Sequence, residues 1–305
     1  MADIHQLLRL HGRDTLLRLA DSKEERRVIE IASEVMADES ERLGITYSGF
    51  CLTSLPHRAI AETSWVRQAH KVTLVVQSGV DREGQPVGVP YGSRARMILL
   101  YLQTRALQTN SREVELGRCM AEWLERMGLS VGGKTYRDVK DQANRISRAI
   151  LQFFWDLPEG REARAKEGIV SRDIAFGADG RQNELFPETV ELSETFFRAL
   201  KEHPVPVLES AIRQISNKSM ALDAYIWLAY RLHSLDRPTK LSWAALYHQF
   251  GAGFASQKHF KPEFTQALRM AVAAYPESRI EVDAKEGATL YPSPPPIAKL
   301  AIGGR

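Results

Sequence analysis

Apolar side chains return at the three- and four-residue steps of a helix over two stretches that share one register. Val139, Ala143, Ile146 and Ile150 form the first stripe, and Phe260, Phe264, Ala267 and Ala271 form the second, 121 residues later. Each stripe has a polar counterpart. Arg137, Lys140, Asn144 and Arg148 stand at i, i+3, i+7 and i+11, and Lys258, Lys261, Thr265 and Arg269 repeat that spacing with the same offset of 121. At roughly 100° per residue, each polar strip lies opposite its apolar stripe. The pattern predicts amphipathic helices over 136–150 and 257–274, each apolar behind and cationic in front.

The surroundings of the two helices also match. Before the first, Glu113 to Met127 reads as a helix ended at Gly128, the turn LSVGGK follows, and Thr135 with Asp138 has capping-box spacing. After it come a β-prone run (ILQFFW), a charged loop at 157–168 and a return strand over Ile169 to Phe176, which together predict a first wing. Before the second, Met220 to Leu232 reads as an apolar core helix, and Ser242 caps a short helix that stops at Gly251. Pro262 falls in the first turns of the second basic helix, where a missing N–H costs least. RIEVDAKEGATLY then reads as strand, turn, strand. Helix, turn, basic helix and hairpin is the order of a winged helix-turn-helix, and it occurs twice.

Upstream, residues 3–43 predict charged amphipathic helices broken near Gly12 to Asp14 and again near Asp21. Tyr47 to Leu55 is turn-rich, Ser64 to Gln77 is β-rich, and DREGQPVGVPYGS is a loop. Ser93 is placed to cap a helix over Arg94 to Leu107 with a core stripe at Met97, Ile98, Tyr101 and Leu102. The expected fold is α+β and predominantly helical: two tandem winged-helix domains with a helical N-terminal extension. The boundaries fall at 1–45 (extension), 46–200 (first winged helix), 201–292 (second winged helix) and 293–305 (Pro-rich tail). PSPPP at 292–296 reads as a brace for the chain end rather than a peptide ligand.

Composition narrows the function classes. A chain of 305 residues, 44% hydrophobic, can bury two ordinary cores. No apolar run approaches the roughly 20 residues of a membrane span, and MADIHQLLRLHGRD lacks the apolar centre of a signal peptide, so a soluble cytoplasmic protein without membrane contact is expected. Cys51 and Cys119 have no CxxC partner, and the eight histidines include no HExxH. No metal, cofactor or acid–base pair is expected. The net charge of +3 says little, but its distribution says more. Residues 91–150 hold 11 Lys/Arg against 6 Asp/Glu, whereas residues 21–43 hold 4 against 8. Positive charge gathers beside the first basic helix, as phosphate binding requires.

One motif points elsewhere. GLSVGGKT at 128–135 matches the phosphate-cradling loop of nucleotide hydrolases, and Ile150 to Asp156 imitates the strand that carries a magnesium-binding acid. Such a loop needs a strand entering it and a parallel sheet beneath. AEWLERM, which precedes it, is built of helix formers. The chain is therefore expected not to be an enzyme. The glycines instead allow a turn between helices, and Lys134 faces a phosphate or solvent.

Helices of this kind suit double-stranded DNA. A recognition helix fits the major groove, where arginine and asparagine make paired hydrogen bonds to guanine and adenine edges. Arg137, Asn144 and Arg148 are candidate base readers with Lys140 on a phosphate. Thr265, Gln266 and Arg269 fill the reading role in the second helix, with Lys258 and Lys261 on the backbone and Lys285 at the second wing tip. A transcriptional repressor would need only this binding chemistry, so it is the rival within the same class.

Several blocks in order also resemble a known family. GVPYGSRAR at 88–96, the long string 111–147, SMALDAYIWLAYRLHSL at 219–235, LSWAALYHQFGAG at 241–253, YPESRIEVD and LYPSPPP are similar to plasmid-encoded RepA-type replication initiators with two winged helices. The resemblance covers roughly 50–296. It implies binding to repeated origin sites (iterons), help in opening the duplex, recruitment of host initiator and replicative helicase, and no covalent chemistry. It also implies dimers that repress their own gene for copy control while monomers start replication. A homodimer through the β-rich stretch 64–77 is the association that follows. Gly132 and Gly133 match the family's turn.

Overall fold

The computed structural model describes residues 4–69, 72–156, 162–171 and 186–297. The chain divides into two compact units. One, the central unit, is Ile45–Pro204; the other, the split unit, joins Met1–Gly44 to Val205–Arg305.

Three helices open the chain: α1 (Ile4–His11), α2 (Arg13–Leu19) and α3 (Lys23–Ala37). Gly12 separates the first two at φ +74. Ser22 caps α3 by accepting the Glu25 N–H, while the Glu25 carboxylate accepts from the Asp21 N–H, which is why the predicted break near Asp21 is real. A strand, β1 (Leu43–Tyr47), follows, and the turn-rich passage that starts at Tyr47 holds one short helix, α4 (Ser48–Leu52). The β-rich stretch is a hairpin of β2 (Ser64–Gln68) and β3 (Val72–Gln77).

The first module follows. It contains α5 (Gly92–Gln108), β4 (Glu113–Glu115), α6 (Met120–Arg126) and α7 (Gly133–Arg148). Then come β5 (Ile150–Asp156), β6 (Glu162–Gly168), β7 (Thr189–Glu191) and α8 (Glu194–Glu202). Strands β2, β3, β5 and β6 form one antiparallel sheet in that order, and β4 pairs with β7. The module is held by α5, which is buried along most of its length, and by Trp123, fully buried with its ring edge-on to Tyr101 at 6.5 Å.

Several local expectations change here. The helix expected over 113–127 is a strand plus a shorter helix, because Glu113–Glu115 finds a partner strand 78 residues away (Glu113↔Glu191), a pairing no local pattern announces. Ser93 and Thr135 cap nothing: α5 starts at Gly92 after Tyr91, and α7 starts at Gly133 after Gly132, so both hydroxyl residues lie inside the first turn. The return strand is β6, inside the stretch expected to be loop. Its register, Trp155↔Ala163 and Phe153↔Ala165, satisfies its backbone through β5 whatever its charge. Residues 157–161 of the expected loop, and 172–176 of the expected strand, lie outside the described residues.

The split unit continues with β8 (Pro204–Leu208), α9 (Glu209–Gln214), α10 (Ser219–Leu232), β9 (Thr239–Ser242), α11 (Trp243–Phe250), α12 (Gln257–Ala273), β10 (Ile280–Asp283) and β11 (Gly287–Leu290). Because α10 is apolar almost all round, it is buried almost all round. Tyr225 on α10 is fully buried; its hydroxyl accepts the Leu208 N–H at 3.0 Å, and burial pushes its pKa up. Ser242 caps α11 as expected, accepting the Ala245 N–H. The three-stranded sheet runs β10–β11–β9, so the second module is helix, strand, helix, helix and hairpin. Gly287 sits at φ +136, where a Cβ would meet the Leu241 carbonyl at 2.0 Å; only glycine brings β11 that close to β9. The PSPPP segment is a brace: Ser293 donates its N–H to Leu232 O and accepts the Arg279 N–H, and Tyr275 donates to Pro294 O.

Residues 4–44, within the 1–45 stretch that the sequence sets apart as an extension, belong to the same unit as the second module. Ile31 and Ala32 of α3 are fully buried, α3 packs on α9 and α12, and His5 of α1 bonds the Ala273 carbonyl at 2.9 Å. Among the described residues no helix is long and apolar enough to cross a membrane.

Candidate nucleic-acid interface

Both basic helices exist, and both bury the predicted stripe. On α7, Val139, Ala143 and Ile146 are at most 1% exposed; on α12, Phe260 and Phe264 are fully buried. Ile150 drops out of the first stripe because the helix ends at Arg148 and Ile150 opens β5, 38% exposed.

On α7 the front face divides in two. Lys134 and Arg137 are exposed, and beside them Val131 and Tyr136 expose apolar surface (57% and 43%). Further along, Lys140, Asn144 and Arg148 are half-buried. The loop preceding α5 lies against this second half. Gln142 accepts the Tyr91 N–H at 2.7 Å, and the Arg145 guanidinium lies 5.2 Å from the Tyr91 ring centre while bonding Asp141 at 2.9 Å. A Cβ at Gly79 would clash with the Arg148 carbonyl, so the loop also touches the helix end. Arg145 is thus a fastening, and the open cations are those of the N-terminal half, the end that a recognition helix presents to base edges.

The segment leading into α7 also decides the nucleotide-loop motif. Helix α6 enters it, Gly128 turns the chain at φ +68, and α7 begins at Gly133. Asp156 ends β5, which is antiparallel to both neighbours. A phosphate-cradling loop is entered by a strand and rests on a parallel sheet; here a helix enters it, and both neighbours of β5 are antiparallel.

The same register has different surroundings on α12. Lys258 and Arg269 are exposed, and Lys261, Thr265 and Gln266 are half-buried. Four of these, Lys261, Thr265, Gln266 and Arg269, line a cleft of about 1130 Å³. One wall is the N-terminal helices, with Leu7, Leu16 and Leu19 on it and Glu24 and Glu25 at the start of α3. The other is the wing, with Arg279, Glu281 and Tyr291. Lys261 places its ammonium 5.2 Å from the Trp243 ring centre, a cation–π contact. At the wing tip Lys285 is exposed; Asp283 accepts the N–H groups of Lys285 and Glu286, each at 2.7 Å, and these bonds hold its carboxyl below the usual value.

The family model described as plasmid-encoded RepA protein matches residues 89–245, just over half of the chain. The chain belongs to that family. The span matched to RepA includes the whole of α5 to α10, hence α7, and stops before α12. No curated protein matches the chain. Two crystal structures of RctB domains 2 and 3 are similar to it. One, a selenomethionine derivative, has a TM-score of 0.48 and 14% identity over 71% of this chain and 79% of that one. The other has a TM-score of 0.49 and 13% identity over 79% and 93%.

Arg279 and Trp243 went unnoticed in the sequence as neighbours of the α12 face. Trp243 precedes Lys261 by 18 residues on another helix, so no periodicity links them.

Proposed function

We propose that this RepA-family protein is a plasmid replication initiator that reads duplex DNA at repeated origin sites through α7 and α12. The observation that carries this reading is the shared register: four polar positions recur at an offset of 121, each set on a helix that follows a shorter one. Arg137 and Arg269 read bases, joined by Asn144, Arg148, Thr265 and Gln266. Lys134, Lys140, Lys258, Lys261 and Lys285 neutralise phosphates. Binding and distortion of the duplex are the whole of its chemistry, with no covalent step and no cofactor. Opening of the origin, recruitment of host initiator and helicase, and self-repression by a dimer complete the reading.

Fluorescence anisotropy against the DNA flanking the protein's own gene, with a scrambled duplex as control and a salt series, tests the binding. A preference of about 10³ or more, with affinity falling steeply in salt, is expected. Equal weak binding to both duplexes defeats the proposal. A replicon that depends on this protein then separates initiator from repressor: Arg137→Ala should stop its maintenance, and a repressor would leave it unsupported from the start.

A further inference from the structure

We propose that the N-terminal helices α1 and α2 are an autoinhibitory cover on the reading face of α12, and that they swing aside when the split unit engages DNA. This rests on α12 being a reading helix.

The geometry makes a cover necessary. The major groove is about 12 Å wide and about 8.5 Å deep, so a helix enters it only as a ridge with nothing rising beside it. Lys261, Thr265, Gln266 and Arg269 line a cleft, between α1–α2 with the start of α3 on one side and the wing on the other. A wing beside a recognition helix belongs to the motif. The N-terminal wall does not, and it stands where the duplex would lie.

Charge points the same way. Glu24 and Glu25 line the same cleft as the cations of α12. Carboxylates there partly offset the field that would attract phosphate, and they repel a duplex that approaches.

The cover is also lightly fastened. Helices α1 and α2 have 8 and 7 residues, and each exposes a leucine, Leu10 at 67% and Leu19 at 69%. Their joint is Gly12, in the left-handed region. Leu8 and Leu16 are buried, His5 bonds Ala273 O, and Arg13 meets Glu34 at 3.5 Å with both side chains about half exposed. Short elements with few buried apolar groups open first. Helix α3, with Ile31 and Ala32 fully buried, is the fixed post from which they swing.

Hydrogen exchange on the full chain, free and saturated with the flanking duplex, tests this. Amides of 4–19 should exchange at least about tenfold faster in the complex, while α12 becomes protected. If α12 is protected with 4–19 unchanged or slower, the cover is overturned and the reading helix stands. If α7 is protected and α12 is not, α12 is not a reader, and both fall for the split unit. A second arm uses full-length variants that remain cooperatively folded. His5→Ala with Leu16→Ala should tighten binding to that duplex severalfold, and in this background Arg269→Ala should cost clearly more than in the parent chain. Equal costs in both backgrounds contradict the cover.

Discussion

The two basic helices carry one spacing in two settings. Along α7 the N-terminal half stands open, with Arg137 and Lys134 exposed, and the C-terminal half is bordered by the loop that Gln142 and Arg145 hold. Along α12 the corresponding face lines a cleft. The backs differ as well. Val139, Ala143 and Ile146 make an aliphatic stripe, whereas Phe264 stacks between Phe250 and Phe260 with ring centres 4.9 Å from each. The difference teaches that periodicity assigns residues to a face, and that the neighbours of the face decide whether it can be used.

The largest effect separates the two backs. Phe264→Ala removes the middle ring of a buried stack and should cost about 3–5 kcal/mol, whereas Ile146→Val in α7 should cost only about 0.5–1.5 kcal/mol. Denaturant unfolding followed by circular dichroism measures both; similar costs would mean that the aromatic backing gives α12 no firmer seat.

The fronts should separate next. Arg137→Ala is expected to weaken binding to the specific duplex by about 1–3 kcal/mol and to relax preference at one base position. Under the proposed cover, Arg269→Ala in the intact chain should cost much less. Anisotropy titrations of the two variants side by side decide it, and equal losses would erase the contrast.

A smaller change concerns phosphates. Lys134→Ala should lower the slope of log affinity against log salt by about 0.9, with little effect on base preference. A slope that does not move would place Lys134 away from the backbone.

The smallest effect is at the second wing. Asp283 accepts two backbone N–H groups and is held below its ordinary value of 3.8. A carboxylate depressed in the folded state supports the fold above its unfolded value and loses that support as pH falls through its folded value. The wing turn should therefore loosen only below about pH 3.8. In the central unit Glu122, held at about 2 by the Arg118 N–H and by Arg126, should keep its contacts further into acid. Amide shifts of Lys285, Glu286 and Arg118 across an acid titration follow both, and Asp283→Asn should abolish the first transition.

The second module was the more legible in sequence. Its elements are joined by short turns, its cap at Ser242 is local, and its hairpin is contiguous, so each signal sits next to the structure it specifies. The first was less so. Strand β4 depends on β7, and β6 depends on β5 rather than on its own composition. Both Ser93 and Thr135 have the chemistry of a cap without the position, since the helices start earlier, after Tyr91 and after Gly132. Among site residues, Lys134, Arg137, Lys258 and Lys285 are exposed as a reading surface requires, whereas Arg269 is exposed but lines the cleft and Lys261 is half-buried against Trp243.

By itself the sequence determined the two amphipathic helices, their common register and the order of elements around them. These follow from side-chain periodicity and local turn chemistry, which act over a few residues. Only the tertiary structure decided that residues 4–44 join residues 205–297, and that α1 and α2 line a cleft with the basic face of α12 while that of α7 remains open at its N-terminal half. Those arrangements depend on which apolar surfaces meet across long separations, such as Ile31 of α3 buried on the far end of the chain, and burial of apolar area is non-directional. A stripe says that a helix will be covered. The rest of the fold says by what.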